Sequence, residues 1–72
     1  MKLEELPDVL TAPDIAAHQR VHQSTVYALF ERAPAAGGIP NYKIGRSRRA
    51  EKAEYIKWLE AQKREAELKY AK

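Results

Sequence analysis

Seventy-two residues make one small domain, of a size that buries only about 60% of its unfolded surface. With no cysteine there is no disulfide framework and no thiolate metal site, and the short apolar runs exclude a membrane-spanning helix. The net charge of +3 is unevenly spread: two cations against four acids over residues 1–22, five against one over 23–49, and six against five over 50–72. A basic middle points to a polyanionic partner, with a solvated loop as the plainer alternative.

The opening MKLEELPDV is acidic and lacks the apolar centre of a signal peptide, so a cytoplasmic protein is expected. A first helix is expected over about residues 12–18: Thr11 can cap it, Pro13 suits a first turn, and Asp14 sets a negative charge near its N-terminus. Ala12, Ile15 and Ala16 give it a short apolar face. Val26, Leu29 and Phe30 recur at helical spacing and predict a second helix over about Gln23 to Arg32. Only Gln19 to His22 separate the two, which is the spacing of a helix-turn-helix. His18 and His22 lie four apart, but no third ligand joins them, and they read as exposed polar residues rather than a metal site.

Pro34, Gly37, Gly38 and Pro40 break the next segment. Tyr42 and Ile44 then alternate with polar residues as a short strand, Gly45-Arg46 makes a hairpin tip, and residues 47–50 return. From about Glu51 the pattern is helical to the end. Tyr55, Ile56, Trp58 and Leu59 form its apolar face, and Trp58 reads as packing rather than as a stacking platform for a base. Beyond residue 60 the helix is mainly charged, held by propensity and four-apart ion pairs. No catalytic constellation is visible and so small an interior offers no pocket in which to shift a pKa, so neither enzyme activity nor a cofactor is expected.

The chain presents Leu10-Thr11, Asp14-Ile15-Ala16, Val21, Thr25-Val26-Tyr27, Ile39-Pro40, Tyr42-Lys43-Ile44-Gly45-Arg46, Arg49 and Trp58-Leu59 in order. This series resembles the small winged-helix proteins of the excisionase and MerR-like helix-turn-helix group. The departures are Gln19-Arg20 where the family often has Leu-Gly, His22 where it favours Ser, Ala28 where it often has Arg, and Arg48 where it usually has an aromatic. The connection at residues 33–38 is also longer than usual.

The resemblance implies a mainly α winged helix-turn-helix with a small β-hairpin, in the order α-α-β-β-α. The domain would span residues 10–59, between an N-terminal arm (1–9) and a charged C-terminal helical extension (60–72). It implies double-stranded DNA as partner. The leading role is that of an excisionase, an accessory protein that binds and bends DNA and directs a tyrosine recombinase (integrase) towards excision. Such a protein is bacterial or phage-encoded, belongs to a mobile genetic element, is nucleoid-associated when bound, and sits beside further copies of itself on DNA. The alternatives are a small phage or plasmid transcriptional regulator, a terminase small-subunit-like protein, and, in another class, a protein interaction module without DNA binding.

A recognition helix presents its N-terminal residues to base edges. Gln23 suits a paired contact with adenine, Ser24 a base or a phosphate, and Thr25 and Tyr27 phosphate oxygens, with capping and packing as their structural alternatives. Ala28 completes the outward face. In the wing, Lys43, Arg46, Arg48 and Arg49 suit phosphates or a narrow groove. Arg48 and Arg49 must point to opposite sides of their strand, and Arg49 has a carboxylate of the domain as its alternative partner. Leu68 and Tyr70, the large apolar residues of the extension, are the expected partner contacts.

Overall fold

The computed structural model describes residues 2–70. Among these the fold is mainly helical, with three α-helices and a three-stranded antiparallel sheet. The order is β1 (Val9–Leu10), α1 (Ala12–Gln19), α2 (Gln23–Glu31), β2 (Tyr42–Ile44), β3 (Ser47–Glu51) and α3 (Lys52–Tyr70). Two short 3-10 turns, Leu3–Glu5 and Pro34–Ala36, complete it.

α1 begins as its sequence dictates. The Thr11 hydroxyl accepts from the Asp14 N–H at 3.4 Å, and the Asp14 carboxylate accepts from the Thr11 N–H at 3.0 Å. This reciprocal box satisfies two amides that would otherwise lack partners, and removing such a cap costs about 1 kcal/mol. The helix ends at Arg20, which is left-handed (φ 58°, ψ 44°). The Val21 N–H then reaches back to the Ala16 carbonyl at 3.0 Å and the Arg20 N–H to that of Ala17 at 3.3 Å. This is a Schellman motif built without the usual glycine.

The sheet differs from the two-stranded hairpin expected. Val9 and Leu10 add a third strand, paired with Glu51 and Ala50 of the central strand β3. The Lys52 N–H extends the contact to the Asp8 carbonyl at 2.8 Å, and the Lys52 ammonium donates to the Leu6 carbonyl at 3.1 Å. Segment 2–9, expected as an arm, therefore lies on the body, with Leu6 buried and Leu3 packed against the core. The physical reason is the edge of β3, whose backbone groups need partners once Ala50 is buried.

The core gathers Leu6, Leu10, Ile15, Val26, Phe30, Ile39, Ala50 and Tyr55, with Leu29, Trp58 and Leu59 packed against it. Tyr55 is fully buried. Gln19 Nε2 donates to its hydroxyl at 2.6 Å, and the phenolic hydrogen is left for His18 Nδ1, also at 2.6 Å. His18 is thus half-buried and engaged, not the exposed polar residue its sequence neighbourhood predicts. The Trp58 ring stacks on Tyr55 (6.0 Å between centroids, 20° between planes), and its Nε1 donates to the Gly37 carbonyl at 3.0 Å.

Two tests follow from this architecture. Arg20→Gly removes a left-handed non-glycine residue and should stabilise the chain by about 0.5–1 kcal/mol, after the extra freedom glycine gains when unfolded; a urea midpoint that does not rise contradicts this. Burial pushes the Tyr55 hydroxyl pKa up from its ordinary 10.0, and the Gln19 donor only partly opposes the shift. The folded chain therefore keeps a proton that the unfolded chain gives up. That contribution to stability is complete below about pH 10 and is lost as pH rises through the folded-state pKa. Tyr55→Phe should show a shallower fall in stability above pH 10 than the parent, measured by urea unfolding across that range.

Candidate nucleic-acid interface

α2 turns Val26 and Phe30 inward, with Leu29 half-buried beside them. Gln23, Ser24, Thr25, Tyr27 and Ala28 are all exposed, together with Glu31. Tyr27 keeps 47% of its surface exposed although its ring meets Phe30 edge-on at 6.4 Å, so packing and exposure coexist at this residue. No side chain caps the first turn of α2. Instead the His22 ring lies 3.2 Å from the Ser24 hydroxyl through Nδ1, and the Thr25 N–H returns to the His22 carbonyl at 3.0 Å.

The hairpin β2–β3 closes through a two-residue turn, Gly45-Arg46, between the paired residues Ile44 and Ser47. Gly45 has φ 61° and Arg46 does not have positive φ, the pattern of a type II′ turn, which needs glycine at its first central position. The register places Lys43 opposite Arg48 and Tyr42 opposite Arg49. Paired residues share a face and neighbours alternate, so Arg48 and Arg49 point to opposite sides as expected. Arg48 lies on the face that carries buried Ala50, and Arg49 on the face that carries Tyr42, Ile44 and Glu51.

The four cations of the hairpin are not equally exposed. Lys43 and Arg46 are exposed, whereas Arg48 and Arg49 are half-buried. Arg48 Nη1 donates to Asn41 Oδ1 at 2.8 Å. Arg49 Nη1 donates to the Arg48 carbonyl at 3.2 Å and not to a carboxylate. The nearby acid Glu51 instead accepts from the Tyr42 hydroxyl at 3.3 Å. Lys43 and Arg48 therefore form a like-charged cross-strand pair, an arrangement that disfavours the hairpin unless an anion lies across it.

Asn41 was not singled out by the sequence. Its Nδ2 donates to the Phe30 and Ile39 carbonyls, both at 2.8 Å. One asparagine between a proline and a strand carries no periodic signal, so only the folded chain reveals it. The same holds for His18 and Gln19, whose partner Tyr55 is more than thirty residues away in the chain.

Of the expected partner contacts, Leu68 is 72% exposed on α3, and the side chain of Tyr70 lies outside the described residues. Among the described residues no helix is long and apolar enough to cross a membrane, and no group of three His, Asp or Glu could hold a metal ion. The chain matches no protein-family model, no curated protein and no solved structure.

Proposed function

We propose that this chain is a winged helix-turn-helix protein that binds double-stranded DNA, with α2 as recognition helix and the β2–β3 hairpin as wing. The observation that carries the reading is the charge of that hairpin. Lys43 faces Arg48 across the strands, Arg46 occupies the turn, Arg49 follows, and the one acid close by, Glu51, is engaged by Tyr42. Like charges set opposite one another cost stability in the free protein and are relieved by a polyanion. The exposed, uncapped first turn of α2, with Gln23, Ser24 and Thr25, supplies hydrogen-bonding groups suited to base edges and phosphates. Three arginines in this hairpin argue against a pure interaction module. No catalytic role is proposed.

Within DNA binding, the motif order favours an excisionase-like accessory role: several copies on adjacent sites, bent DNA, and contact with a tyrosine recombinase, with the exposed end of α3 and Leu68 as the contact. An integrase gene adjacent to this one, together with stimulation of excision by its product, is the deciding test. DNA binding without stimulation makes the protein a small regulator instead.

Binding should be strongly salt-dependent. With three or four phosphates neutralised per protomer, log K falls against log salt with a slope of roughly −3 to −4. Fluorescence anisotropy on a random duplex between 50 and 200 mM salt measures it, and a flat affinity sinks the proposal. Arg46→Ala should weaken binding to every duplex alike and make the slope shallower by about 1. Gln23→Ala should cost roughly 1–3 kcal/mol on a duplex enriched by selection and little on random DNA, the signature of a base contact. Equal losses on both would make Gln23 a backbone contact.

A further inference from the structure

α2 does not end on a glycine cap of its own. Its last carbonyls are taken in turn by the chain that leads to the wing. The Arg32 N–H reaches Ala28 at 3.2 Å, the Ile39 N–H reaches Leu29 at 3.1 Å, and the Asn41 amide reaches Phe30 at 2.8 Å. The chain can press this close because residue 38 is glycine. A Cβ there would sit 1.9 Å from the Arg32 carbonyl oxygen and 2.8 Å from that of Leu29. Asn41 is thereby held at the end of α2, and its remaining oxygen faces the wing.

The orientation of this amide is fixed by its neighbours. Two carbonyl oxygens lie on one side, and the Arg48 guanidinium, which only donates, lies on the other. Reversing the amide would set acceptor against acceptor and donor against donor. Both amide hydrogens and one oxygen lone pair are used. Aspartate offers no hydrogen for the two carbonyls, and alanine offers nothing. One side chain thus joins the end of α2, the Ile39 carbonyl and strand β3.

We propose that Asn41 is a positioning residue that locks the wing to the end of α2, so that helix and wing meet DNA as one rigid unit. This rests on the DNA-binding reading above. Arg48 takes part through the Asn41 bond, which ties strand β3 to the end of α2. Without the lock the wing keeps its charge but no longer holds Arg46 at a fixed distance from α2.

The test is a double-mutant cycle between Asn41 and Arg46, which do not touch. Independent sites at such separation are additive. Affinity for a random duplex is measured for the parent, Asn41→Ala, Arg46→Ala and the double variant, each checked for folding by circular dichroism. In the parent, Arg46→Ala should lose about tenfold, the worth of one charge-assisted hydrogen bond. In the Asn41→Ala background the same change should lose less than about twofold, because the unlocked wing no longer delivers Arg46. Equal losses in both backgrounds overturn the positioning role while leaving DNA binding intact. A parent that binds no duplex overturns the DNA-binding reading itself. The parent alone supplies a second measurement should Asn41→Ala not fold. A locked wing exchanges its β2–β3 amide hydrogens as slowly as the Ile39 amide, and wing amides that exchange far faster overturn the lock.

Discussion

The Tyr55 side chain is the constraint on which the body of this small protein depends. Its ring is fully buried, and its hydroxyl is met by Gln19 and His18 at the end of α1. Its face carries Trp58, which in turn holds the Gly37 carbonyl. One helix, α3, is thereby tied to α1 and to the segment that follows α2. A domain of this size has little apolar area to spare. A large ring whose polar atom is satisfied gives packing and direction at once. No buried side-chain nitrogen or oxygen among the described residues lacks a partner.

Much of this was legible in the sequence, and the limits have physical causes. Thr11 announces a cap and Asp14 a first-turn charge because both lie within one turn of the helix start, and the fold adds the reciprocal bond between them. Val26, Leu29 and Phe30 announce the buried face of α2 by their spacing alone. The Gly45-Arg46 tip follows from the positive φ that glycine allows, and the opposite facing of Arg48 and Arg49 from the period of a strand. What could not be read depends on contacts between distant residues. Val9 and Leu10 are too few to show any period, and they become a strand only because β3 has an edge to fill. His18 looks like a surface residue until α3 is folded onto α1. Asn41 looks like any strand-flanking polar residue until the end of α2 is beside it.

The candidate interface mixes two kinds of cation. Lys43 and Arg46 stand in solvent. Arg48 and Arg49 are drawn partly inward by Asn41 and by backbone, and they act on the shape of the hairpin as well as on its charge. The hairpin's positive potential is thus set partly by exposed side chains and partly by ones anchored in the body. The anchored pair has already given up part of its conformational freedom on folding.

The pairing of β1 with β3 also bears on how the chain first folds. Leu10 and Ala50 meet across forty residues of sequence, and Ile15 and Tyr55 share one core across a similar span. Closing so long a loop costs entropy that only the finished core returns. During synthesis, α1 and α2 emerge before β3, Tyr55 and Trp58, the residues that share their core. The core that joins the two helices to β3 and Tyr55 can close only once the start of α3 is available.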